Sequence, residues 1–137
     1  VQRIESGHLQ FSEENPGCGY HDGEPYSGQV VRELEDRQVE LTTYEEGFEN
    51  GQVLIWEPGG KLVCQGIRRH KHGRVGSWQG WDEEGRLLWE KIYDALGNLI
   101  LHRELDGSLN IVKQERFEPV TFMADPETGE QRPAPWL

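Results

Sequence analysis

The sequence predicts an all-β protein: an antiparallel meander of about eight to ten strands built as stacked hairpins in a single-layer sheet, elongated or curled. Two observations carry that prediction. The 17 glycines are spread at intervals along 137 residues, and many open a short run of strand-forming residues, as turn positions between strands do. The chain also holds 5 Trp, 4 Tyr and 4 Phe, too many large aromatics for an unfolded chain of this polarity.

The elements follow in two interleaved sets. "GQVVREL" from Gly28, "GQVLIWE" from Gly51, "GRVGSWQ" from Gly73 and "GNLILHR" from Gly97 are spaced by 23, 22 and 24 residues. Between them lie "RQVELTT" from Arg37, "GKLVCQG" from Gly60, "GRLLWEK" from Gly85 and "GSLNIVK" from Gly107. Each full unit is two strands and two turns. Within "ENGQVLIWEPGGKL", Asn50-Gly51 marks one turn and Pro58-Gly59-Gly60 the next. A single hairpin buries too little to stand alone, so several must pack side by side. The repeat region spans residues 20–116, with an N-terminal cap segment over 1–19 and a C-terminal extension over 117–137.

Alternate side chains point to opposite faces of a strand, so parity assigns the faces. In the second set Val39 and Leu41, Leu62 and Cys64, Leu87 and Trp89, Leu109 and Ile111 share one parity and are all apolar. Val30, Val53, Val75 and Leu99 recur in the first set. The opposite parity carries Leu54, Trp56 and Trp78 among polar residues. The expectation is one apolar face and one polar face with an aromatic stripe. That stripe is either a contact surface or is covered by the chain's own C-terminal extension.

Composition narrows the function classes. Only 34% of residues are apolar, mean hydropathy is -0.78, and 25 acidic against 14 basic side chains leave a formal charge of -11. Such a surface repels nucleic acid and anionic lipid and favours basic partners. No apolar run approaches the ~18 residues of a membrane span. The opening "VQRIESGHLQ" lacks the order of a secretion signal. Two cysteines, Cys18 and Cys64, are too few for a disulfide framework, and Cys64 reads as a buried thiol. A cytoplasmic location is expected.

Sites of known chemistry are not expected. "GQVLIWEPGGKL" fails as a phosphate loop: Ile55 stands where glycine is required, and Leu62 follows Lys61 in place of Ser or Thr. His70 and His72 with Cys64, or Cys18 with His21, are too sparse for a metal tetrahedron and read as loop residues. Neither a cofactor nor an enzymatic activity is expected. The basic segment Arg68, Arg69, His70, Lys71, His72 and Arg74 has no interleaved aromatics and reads as a loop balanced by neighbouring acidic turns.

The period near 23, with "YSG" at Tyr26–Gly28, "HG" at His72-Gly73 and the stretches "YHDGEPYSGQVVREL" and "HGRVGSWQGWDEEGRLLWE", resembles the MORN repeat. It is most similar to the degenerate bacterial variant associated with antitoxin and immunity proteins, over roughly residues 20–113. It departs from the standard repeat in having Arg74 and Val75 between Gly73 and Gly76. The resemblance implies a non-enzymatic protein, monomeric when free, that binds a cognate toxin, with a scaffold module lacking a toxin as the alternative. The acidic charge suits a basic toxin such as a nuclease. Candidate partner-binding residues are Trp56, Trp78 and Trp81 as aromatic anchors, with the acidic turns Glu45, Glu46, Asp82, Glu83 and Glu84.

Overall fold

The computed structural model describes residues 1–118, 122–124 and 131–133. Its strands are β1 (Arg3–Glu5), β2 (Gln10–Phe11), β3 (Gly19–His21), β4 (Glu24–Pro25), β5 (Gly28–Glu33), β6 (Val39–Glu45) and β7 (Phe48–Trp56). They continue as β8 (Leu62–Arg69), β9 (Gly73–Trp81), β10 (Leu87–Tyr93), β11 (Leu99–Leu105), β12 (Ile111–Arg116), β13 (Phe122–Ala124) and β14 (Gln131–Pro133). From β5 to β12 each strand pairs antiparallel with its neighbours in chain order. β1 adds a ninth strand, parallel to β5, and the sheet stays open between β1 and β12. The predicted all-β meander is the fold, in its uncurled form. The parallel strand is possible because residues 6–27, including the small β2-β3-β4 sheet, intervene before the chain returns as β5. β13 and β14 pair with each other. The expectation that the C-terminal extension covers the aromatic stripe falls largely outside the described residues.

Four connections share one design: Glu57–Lys61, Asp82–Arg86, Asp94–Asn98 and Asp106–Asn110. In each, the first residue's N–H donates to the carbonyl of the fifth, and the fourth residue's N–H donates back to the carbonyl of the first. The three aspartates add a side-chain clasp. Asp94 Oδ1 accepts the backbone N–H of Leu96 (3.0 Å) and Asn98 (2.9 Å), and Asp82 and Asp106 do the same in their loops. The short carboxylate imitates a backbone turn, which is why Asp suits this position.

The fourth residue must adopt a left-handed φ. Gly60, Gly85 and Gly97 do so without strain, but the last loop uses Leu109 (φ 64°). The turn glycine expected at Gly107 is thus two residues early. Leu109 is no strand residue of the apolar face; its side chain is 62% exposed. Leu109→Gly is expected to raise stability by roughly 0.5–1 kcal/mol, read as a higher urea midpoint at constant slope.

Asn50-Gly51 is likewise not a turn. The β6–β7 hairpin closes at Glu46-Gly47 (φ 50° and 91°), and Gly51 lies inside β7 beside a register shift opposite Thr42 and Tyr44. A Cβ at Gly51 would meet Thr43 Cβ at 3.0 Å, so glycine serves close approach here.

After each five-residue loop the incoming strand carries one extra, unpaired residue: Val63, Leu88, Ile100 and Val112. Such a bulge shifts alternation by one position. The register consequently divides the residues expected on one apolar face. Leu41 aligns across the sheet with Leu54 and Gln65, whereas Ile55, Cys64, Gly80 and Trp89 form a row on the opposite face. Both faces are mixed.

The face of Ile55, Cys64 and Trp89, here the first face, holds the central packing, and the face of Leu41, Leu54 and Gln65 is the second. Val53 stands opposite Thr42 and Gly66, and Trp78, 1% exposed, lays its ring over Gly66. Trp89 covers Gly80 in the same way. These two glycines sit within strands because a side chain there would occupy the ring's place. At the β1 edge Ile4, Tyr26 and Val30 cluster with Leu9 and Tyr44, joining residues 1–27 to the sheet.

Candidate partner-binding surface

The second face is organised by a row of polar side chains running across five strands. Gln65 Nε2 donates to Gln79 Oε1 (3.0 Å) and Gln79 Nε2 to Glu90 Oε2 (2.9 Å). Arg103 NH1 donates to Glu90 Oε1 (3.1 Å), and its Nε donates to Gln114 Oε1 (3.0 Å). Ser77 Oγ adds a further donor to Glu90 at 3.2 Å. Each of the five lies directly opposite the next in the strand register. Their partners fix their rotamers, so this is a flat, ordered polar surface with its one carboxylate and one guanidinium paired.

Trp56 and Trp81 flank that row. Each lies two residues beyond a member of one aligned row, Leu54 on β7 and Gln79 on β9, and so shares its face. With β8 between them, the two backbones are about two strand spacings apart, roughly 10 Å. Both residues are half-buried. Trp78 is different: it is buried on the other face, its Nε1 donates to Ile67 O (3.1 Å), and the Arg74 guanidinium lies 4.3 Å from its ring centroid. Trp78 is therefore a packing residue and not an exposed anchor. Counting from glycines made it equivalent to Trp56, but Gly51 sits within a strand and Gly73 begins one. The register makes Trp81 the equivalent of Trp56.

The acidic residues divide between the two ends of the sheet. Trp56 and Trp81 run into the loops Glu57–Lys61 and Asp82–Arg86, and the loops 34–38 and 106–110 open at the same end. Together these loops carry Glu35, Asp36, Glu57, Asp82, Glu83, Glu84 and Asp106 against Arg37, Lys61 and Arg86. Lys61 Nζ donates to Glu83 O (2.6 Å), and Arg86 NH1 to Gly107 O (3.4 Å), tying successive loops together. Asp82 is committed to its own loop and Glu84 to Arg86, while the Glu83 carboxylate is exposed and unpaired among the described residues. Glu45 and Glu46 sit at the far end, by the β6–β7 turn, and do not join this group.

That far end holds the basic segment. Phe48 stacks on His70 (centroids 3.9 Å apart), Arg68 pairs with Glu49 (2.9 Å), and Phe11 and Tyr44 help to line the adjoining cleft of about 410 Å³. Aromatics separated in sequence are thus brought to the basic residues. His70 lies six residues from Cys64 along one strand and its turn, roughly 20 Å, so the His–Cys constellation is not assembled. Cys64 is half-buried, and that burial pushes its thiol pKa up; Cys18 is the fully buried cysteine. Among the described residues no group of three or more His, Cys, Asp or Glu is placed to hold a metal, and no helix is long and apolar enough to cross a membrane.

The loop aspartates supply a pH dependence. The Arg86 backbone N–H, foremost, holds the Asp82 carboxyl below its ordinary range, and the Asn110 N–H does so for Asp106. A carboxylate with a depressed folded pKa stabilises above its unfolded value, about 3.9, and loses that contribution as pH falls through the folded value. Asp82→Asn and Asp106→Asn are expected to flatten the acid-side fall in stability below about pH 4, measured by urea titration at stepped pH.

The polar row escapes a reading based on glycine spacing. Its signal is mirror pairing through the loop centres, which places Gln79 opposite Glu90 and Arg103 opposite Gln114 once the bulges are known. Comparison with protein-family models finds no match, and comparison with curated proteins finds no relative.

Proposed function

We propose that the protein is an immunity or antitoxin protein that binds a basic toxin through the second face of its sheet and occludes the toxin's active site. One observation carries the reading: two half-buried tryptophans, Trp56 and Trp81, share a face and border loops with seven carboxylates against three cations. Large aromatics beside an ordered polar surface are the composition of an interface hot spot within a polar rim. The acidic loops draw a basic partner in, and Glu35, Asp36 and Glu83 are exposed carboxylates there with no side-chain partner among the described residues. The resemblance of residues 20–113 to the bacterial MORN variant agrees with this reading.

Affinity purification of the tagged protein from the cell that makes it, followed by mass spectrometry, tests the proposal. The expected capture is a basic enzyme whose activity falls stoichiometrically on adding the protein, with association slowing as salt rises. Capture only of proteins whose activity the protein leaves unchanged would refute it.

A further inference from the structure

β12 is the last strand of the nine-stranded sheet, and among the described residues it has one neighbour, β11. An edge of this kind presents unpaired backbone donors and acceptors. Phe117 N–H donates to Ile100 O (3.0 Å), so the odd-numbered residues of the regular stretch turn their backbone groups toward β11. Gln114 and Arg116 therefore turn theirs outward. Three apolar side chains stand exposed along this short strand and just past its end: Ile111 (53%), Val112 (64%) and Phe117 (37%).

We infer that this edge pairs with the same edge of a second copy, antiparallel about a twofold axis at Gln114, joining two sheets into one. The charges select the register. With Gln114 opposite its own counterpart, Lys113 of each copy faces Glu115 of the other, two opposite-charge pairs in one short ribbon. Shifting the axis by one residue either way sets Lys113 against Lys113 or Glu115 against Glu115, which is unfavourable. The favoured register holds over the regular stretch from Lys113 to Phe117, since the extra residue Val112 breaks the alternation before it. Its central pair is the one whose backbone groups point outward. In the single chain Lys113 and Glu115 bridge each other at 3.1 Å, and both are exposed enough to exchange partners across the axis. This inference is independent of the toxin-binding reading and departs from the expected monomer.

Sedimentation of the full chain tests it. The area is small, so a weak dimer is expected, present at about 100 µM and dissociating on dilution. Lys113→Glu and Glu115→Lys should each abolish dimerisation, and an equimolar mixture of the two should restore it as a heterodimer. A wild-type chain monomeric at that concentration would overturn the inference, as would single reversals that dimerise like wild type. A second probe does not depend on charge. A Gln114→Cys variant should crosslink to itself under mild oxidation, because facing residues of a bonded pair lie about 5.5 Å apart, within disulfide reach. Arg116→Cys, four residues from its counterpart's facing position, should not. Failure of the first, or equal crosslinking of both, removes the register.

Discussion

Gly66→Ala is expected to lower stability by about 3 kcal/mol, far more than a strand glycine-to-alanine change ordinarily does. A methyl group at Gly66 would overlap the indole of Trp78, the largest fully buried side chain in the described structure. The ring cannot shift cheaply. Its Nε1 donates to Ile67 O, the Arg74 guanidinium packs on its face, and Val53 stands opposite Gly66. Displacing it forfeits burial on the order of a Trp→Ala truncation. A double-mutant cycle isolates the cause. In a Trp78→Ala background the Gly66→Ala change should cost less than about 1 kcal/mol, because the ring that the methyl strikes is gone. Urea denaturation of the four proteins reads the cycle, and additive costs would show that Gly66 serves something other than the tryptophan.

The second large effect concerns binding. Trp56→Ala combined with Trp81→Ala is expected to weaken capture of the cognate partner by at least 100-fold, since anchor truncations each cost about 2 kcal/mol or more. Both residues end their strands, both are half-buried, and neither belongs to the Val53–Trp78 packing, so the variant should keep its far-ultraviolet spectrum and most of its stability. Trp78→Ala should behave oppositely, losing stability first and affinity only as the fold is lost. Unchanged affinity in the Trp56, Trp81 variant would remove the second face as the contact surface.

The fold class was legible in the sequence because turn chemistry is local. Gly60, Gly85 and Gly97 announce three of the four five-residue loops, and the strands between them follow. The faces were less legible because each loop adds a residue that only the register reveals. Val63 between Leu62 and Cys64, and Val112 after Ile111, break the alternation that parity assumes. Leu109 hid the last loop by filling a glycine's place. Of the candidate site, Trp56, Trp81 and the Asp82–Glu84 turn fall together because they lie at strand ends beside loops of one kind. Trp78 separated from them because the register turns it to the other face, and Glu45 and Glu46 went to the opposite end because their turn closes the hairpin one strand before the Glu57–Lys61 loop. The Gln65-to-Gln114 row needed five strands in register before it existed at all.

Oxidative footprinting of the tryptophans, alone and in complex with the captured partner, tests the assignment of the two faces most directly. In the free protein Trp56 and Trp81 should be labelled and Trp78 spared; on binding, Trp56 and Trp81 should become protected while Trp78 stays unlabelled throughout. Labelling of Trp78 in the folded free protein, or protection confined to residues 1–27 with Trp56 and Trp81 still reactive, would contradict it.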